Sequence, residues 1–293
     1  MNNFVIVTDS SCDLSAKMAE ELELAVLPLS FNLKGKEYHN YLDGREISFE
    51  DFYKQIREGE TCTTSAVNVE AFASTFEPIL QSGKDVLCIA FSSGLSNTYT
   101  AAKLACEELS PKYPERKIYA VDSLCASLGE GLLIYHAVQE KRAGKNIDEV
   151  RDWVEANKLH LCHWFTVEDL NHLKRGGRIS AATALIGTML NIKPVLHVDD
   201  AGFLISVGKT RGRRASLSAL VDHMAETAIY PASQMVFISH GDSQSDADFV
   251  AEEIKKRFGI QTVVTNFVGP VIVASITAVT LTSAGSRSAG VGA

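Results

Sequence analysis

No apolar run in this 293-residue sequence approaches the roughly 18 residues that a membrane-crossing helix needs, so stable membrane insertion through a helix is not expected. The six cysteines (Cys12, Cys62, Cys88, Cys106, Cys125 and Cys162) include no CxxC pair, which withholds the usual spacing of zinc ribbons and thioredoxin-like centres. No basic n-region followed by an apolar h-region opens the chain, so these thiols are expected to be reduced and the protein cytoplasmic. There is no GxSxG, the signature of a nucleophile elbow, and no internal repeat. Positive charge is in short supply, 28 Lys and Arg against 36 Asp and Glu for a net −8. That balance repels nucleic acid at long range and means that any phosphate-bearing partner must be met by a local basic patch.

What is present suits a globular α/β protein. Hydrophobic residues make up 46% of the chain, enough for a sizeable core and, at this length, for two domains. Short β-branched runs alternate with helical patterns in the first half: Phe4 to Ser10, Val26 to Leu33, Asp85 to Ser93 and Lys117 to Ser123 read as strands. A helix should lie between the last two, because Leu95, Tyr99, Ala102, Cys106 and Leu109 recur with helical spacing. This pattern predicts a mostly parallel N-terminal sheet flanked by helices. After a change of texture near residue 158 come the strand-like HLCHWFTV, a helical stretch over 180–190, and a hairpin of KPVLHV and GFLISVGKT. A helix from about Arg214 to Ala228, the strand MVFISHG, a helix from Asp246 to Phe258 and the strand QTVVTNF complete the pattern. The expected architecture is a two-domain α/β fold, 1–158 and 159–273, the second domain with a mixed sheet. Residues 274–293 hold fifteen Ala, Ser, Thr or Gly and a single charge, poor material for a core, and are expected to form a loose tail.

Several strands end in polar residues, and ligands in open parallel sheets bind beyond the carboxyl ends of strands. FSSGLS (Phe91 to Ser96) sits at such a strand-to-helix handover, where free backbone N–H groups and the hydroxyls of Ser93 and Ser96 suit an anion; Ser92 or Ser93 could equally be a plain helix cap. TCTTS (Thr61 to Ser65) precedes another helical pattern, with Val69, Phe72, Phe76 and Leu80 inward, and reads as a capped helix. KRGGR (Lys174 to Arg178) and KTRGRR (Lys209 to Arg214) hold seven basic residues in eleven positions, either solvated turn charges or anion-binding forks. Ser93 or Ser96 with His240 and Asp242 could make a hydrolase triad, although the local motif is wrong for it. His160 and His163 face opposite sides of a strand and lack a second ligand pair, so no metal is expected. Asp9 and Asp13 are expected to cap, and Trp153 and Trp164 to pack.

Taken in order, VTDSSCDLS, the Thr64-Ser65 turn, FSSGLSNTY, VDS, LKRGGRIS, KPVL, RGRR and FVGPVI resemble the DegV family of bacterial fatty-acid-binding proteins, which includes the binding subunits of fatty acid kinase. The resemblance runs from Phe4 to Ile272. It implies a non-catalytic carrier for lipid transport that encloses one long-chain, palmitate-like fatty acid and needs no cofactor; a monomer is expected, and from the charge balance no nucleic-acid partner. The carboxyl group would be held by Thr64 and Ser96, with Ser93 beside them. Arg178 and Arg211 would face a kinase partner, the ATP-binding subunit that makes the acyl phosphate. Two departures stand out. Ala66-Val67 replaces the family's Gln-Pro, and Ser275 stands where the family has a His associated with phosphoryl handling, so binding without phosphorylation is one expected outcome.

Overall fold

The structure, a computed structural model, describes residues 3–168, 177–179, 191–272 and 279–285. The expected helix over 180–190, Ser275, and Lys174 and Arg175 of the first basic run lie outside the described residues.

The first sheet comes from four short runs: β1 (Phe4–Asp9), β2 (Ala25–Leu27), β6 (Asp85–Ala90) and β7 (Ile118–Asp122). All neighbours are parallel, in the order β2-β1-β6-β7. Burial on both faces explains why these strands read as continuous apolar runs. Along β6, Val86, Cys88 and Ala90 face α3 (Val69–Gln81) and α4 (Thr98–Leu109), while Leu87 and Ile89 face α5 (Leu128–Arg142) and α6 (Ile147–Asn157). In α3, Phe72, Phe76 and Leu80 are buried as their spacing requires, and Asn68 caps the helix through Ala71 N at 2.8 Å.

The second sheet has six strands: β8 (Leu161–Thr166), β9 (Ile192–Val198), β10 (Leu204–Arg211), β11 (Met235–His240), β12 (Thr262–Phe267) and β13 (Val279–Ala284). Their order is β10-β9-β8-β13-β11-β12, and only β11 and β12 run parallel. One face packs on α7 (Arg213–Thr227) and α8 (Gln244–Phe258) through Trp164, Leu217, Val236, Ile238, Val250 and Leu281. The other face is covered partly by α5, which touches β8, β11 and β13. Every residue of α5 from Leu128 to Ile134 is buried, as befits a helix held between two sheets.

A third sheet differs from what the sequence predicts. The run Val26 to Leu33 is two strands in two sheets, since β3 (Ser30–Leu33) pairs antiparallel with β4 (Lys36–His39) and β5 (Cys62–Ser65). Pro28, between β2 and β3, has no N–H to carry a ladder onward. TCTTS is likewise a strand rather than a cap, its threonines paired with Phe31 and Asn32. Helix α2 (Phe49–Arg57) covers this sheet through Phe52, Tyr53 and Ile56, and Phe267 and Val271 of the second half join that cluster.

The expectation of a loose tail from 274 is corrected for Val279–Ala284. That segment is the strand between β8 and β11, with Val279 and Leu281 fully buried on the helix-covered face.

Candidate functional site

A cavity of about 580 Å³ lies between the carboxyl-end rim of the first sheet and the second sheet. Leu29, Phe91 and Leu95 line it from the rim of the first sheet, and Phe165, Val198 and Leu204 from the second. Val268, Val271 and Ile272, in the segment after β12, close a third side. A volume in this range suits a small-molecule ligand.

Three of the residues singled out from the sequence meet at this cavity: Thr64, Ser96 and Arg178. Thr64 sits on β5, held in register by Phe31. Ser96 precedes α4, which begins at Thr98 rather than at Leu95 as expected; its hydroxyl accepts from Thr98 N at 3.2 Å and lies 2.9 Å from Thr98 Oγ1. The capping at this helix start is therefore done by Ser96, not by Ser92 or Ser93. Arg178 donates from Nε to Leu95 O at 3.3 Å, which ties it to the loop carrying Ser96.

Ser93 and Arg211 are not brought to the cavity wall. Ser93 is exposed, and its backbone N donates to Asp122 Oδ1 at 3.1 Å, which turns the residue outward. Arg211 is exposed at the end of the edge strand β10. The conceivable triad is not assembled either. His240 is buried beside Phe267, its Nδ1 accepts from Ser243 N at 3.3 Å, and Asp242 is paired with Arg57. His160 is exposed whereas His163 lines the cavity, consistent with their opposite facing.

Ser92 joins the two walls. Its hydroxyl donates to Gly202 O at 2.9 Å at the tip of the β9–β10 hairpin and accepts from Gly94 N at 3.2 Å. Gly202 has φ +79°, and a Cβ there would fall 2.1 Å from Ser92 Oγ, so the approach requires glycine.

Behind the cavity lies a buried acidic network that the sequence reading reduced to caps. Asp9 does cap, accepting from Ser11 N at 3.0 Å, but it also accepts from Phe91 N at 2.9 Å and so fixes the start of the FSSGLS loop. Asp13 accepts from Ser127 Oγ at 2.5 Å and from Gly269 N at 3.0 Å, linking the first strand to the wall segment after β12. Burial pushes the Asp13 carboxyl up to about 8, against the lowering effect of those two hydrogen bonds. Burial also raises Asp9 and Glu130, and Thr8 Oγ1 donates to Glu130 Oε1 at 3.1 Å.

Sequence reasoning missed Ser127 and Thr280 and weighed His163 only as a metal ligand, yet all three line the cavity. For Thr280 a signal existed, the strict alternation of VTLT in a segment discounted for its composition. For Ser127, which has φ +54°, none did.

A family model described as "Uncharacterised protein, DegV family" matches residues 3–281. A DegV domain-containing protein of Clostridium perfringens is 44% identical over 272 residues, covering 93% of each chain. Among solved structures, a Thermus thermophilus DegV family protein described for its fatty acid binding superposes with a TM-score of 0.85 at 28% identity, over 97% of this chain and 99% of that one. A Thermotoga maritima protein whose structure is said to reveal fatty acid binding function gives 0.84 at 26%, over 97% and 100%.

Proposed function

Because the chain belongs to the DegV family, we propose that it binds one long-chain fatty acid in the cavity between the two large sheets and presents its carboxyl group to a partner enzyme. The observation that carries this reading is that a single cavity of about 580 Å³ combines an apolar wall with the hydroxyls of Thr64 and Ser96.

The physics divides the work between tail and head. About 14 methylenes leaving water contribute on the order of 11 kcal/mol at ~0.8 kcal/mol each, before association and ordering costs. Burying the carboxylate opposes binding unless it is hydrogen-bonded. Thr64, Ser96 and the backbone N–H groups at the start of α4 supply donors, and the Arg178 guanidinium stands at the same cavity as a counter-charge. The head group sets orientation; the tail sets affinity.

The chain then acts as a carrier, without chemistry of its own, whose bound acid is activated by an ATP-dependent kinase subunit. Arg178, at the cavity, and Arg211, on an exposed strand end, are the groups that would meet that partner or the developing phosphate. Solvent extraction of the purified protein followed by mass spectrometry tests the reading. Near one equivalent of a long-chain acid is expected, reduced in Ser96→Ala and Thr64→Val; a chain that neither retains nor takes up any acid overturns it. Arg211→Ala should keep the lipid and slow acyl phosphate formation with the kinase present.

A further inference from the structure

The carboxylate reading gives work to Thr64 and Ser96 and leaves a second polar group on the same wall without a task. A cavity for plain hydrocarbon needs an apolar lining throughout. The second sheet provides one along β9 and β10, with Val198 and Leu204, but along β8 and β13 the lining includes His163 and Thr280.

These residues form one patch. Strand pairing sets Thr280 opposite Ser239 on one side and Phe165 on the other, so the three stand in a row across the sheet. Ser127, from the loop before α5, has its Oγ 2.8 Å from Ser239 Oγ. The His163 ring lies against Gly129, two residues further on, so closely that a Cβ there would fall 1.8 Å from it. Ser127 is thus bound to the Thr280 row on one side and followed by the His163 contact on the other.

The hydrogen-bond inventory of the patch is incomplete. A serine hydroxyl carries one proton and two lone pairs. Ser127 Oγ has one proton for its two contacts, with Asp13 Oδ2 and Ser239 Oγ, so it donates in one and accepts in the other, and its second lone pair remains for a donor in the cavity. Thr280 Oγ1 has no hydrogen-bond partner among the described residues, and a hydroxyl there can donate and accept. Ser127 is only 3% exposed, and its hydroxyl is held in place by its contacts with Asp13 and Ser239.

We propose that Ser127 and Thr280, with His163 beside them, form a second hydrogen-bonding station in the cavity, and that the preferred ligand is a long-chain acid bearing a hydroxyl on its chain. The carboxylate goes to Thr64 and Ser96; the chain hydroxyl accepts from Thr280 and donates to Ser127. This rests on the fatty-acid reading above and deepens it. A site built to hydrogen-bond a hydroxyl discriminates against the analogue that lacks it, because its own buried groups are then left unpaired.

The test is equilibrium binding to delipidated full-length protein, using stearic acid and a series of hydroxystearic acids substituted at the 3, 10 and 12 positions. At least one hydroxy acid is expected to bind about tenfold more tightly than stearic acid. Thr280→Val, which keeps the shape and removes the hydroxyl, should abolish that preference, and Thr280→Ser should restore it; a thermal midpoint on each variant establishes that it is folded. An affinity ratio near one in the wild type, or a ratio unchanged in Thr280→Val, overturns the station. Equal weakening of stearic and hydroxystearic acids in Thr280→Val also overturns it, since the patch would then serve the head group. If the wild type binds none of these acids, the fatty-acid reading itself falls, a result distinct from a ratio of one between acids that do bind.

Discussion

The two large sheets face each other across the cavity but are built on different terms. All four strands of the first lie between Phe4 and Asp122, run parallel and are covered by helices on both faces, with a packed apolar cluster on each. The second joins strands from distant parts of the chain, β8 beside β13, and among the described residues carries its larger helical layer, α7 and α8, on one face. Among the described residues its other face meets α5 and lines the cavity opposite the rim of the first sheet. The first sheet supplies loops; the second supplies a wall. Ligand space lies beside the sheet assembled from distant segments, not within the more regular one.

This contrast can be broken most severely at β13. Ending the chain after Ala278 removes the strand between β8 and β11, and loss of cooperative folding of the second sheet is expected by circular dichroism and thermal unfolding. A change of pH probes the junction of the two sheets at Asp13. Its carboxyl titrates near 3.8 when unfolded and near 8 when folded, so between those values the native state holds a proton that the unfolded chain releases. The contribution to stability therefore falls as pH rises from about 4 to about 8, and Asp9 and Glu130, raised for the same cause, add slope of the same sign. Denaturant midpoints should be lower at pH 8.5 than at pH 5, with a shallower dependence in Asp13→Asn. Gly129→Ala forces the His163 ring away from α5, with an expected loss of about 1–3 kcal/mol in chemical denaturation. The smallest effect belongs to Ser92→Ala, which removes one link between loop and hairpin and should cost about 1 kcal/mol.

The first sheet was the more legible of the two. β1 and β6 are built on the apolar runs Phe4 to Val7 and Val86 to Ala90, and the inward stripe of α3 falls at Phe72, Phe76 and Leu80 as periodicity requires. Reading failed where local chemistry pointed one way and pairing another. Pro28 divides a run that composition alone joins, and the threonines of β5 look like caps until β3 is present to pair with them. The Ser and Thr of β13 masked an alternation that places Val279 and Leu281 inward. For the site, the resemblance named Thr64, Ser96, Arg178 and Arg211 and the local reading added Ser93; the cavity gathers Thr64, Ser96 and Arg178, leaving out Ser93 and Arg211. Ser127 and His163 could not be found this way, because their place at the cavity follows from α5 lying between two sheets, a long-range arrangement no local pattern encodes.

The position of β13 also sets an order of events during synthesis. As the chain leaves the ribosome, the first sheet has all its strands once Asp122 has emerged, whereas β8 waits for a neighbour more than a hundred residues downstream. Domains form as their segments become available, and contacts this remote in sequence form late. The cavity wall on the second sheet is therefore completed late, once β13 has taken its place between β8 and β11.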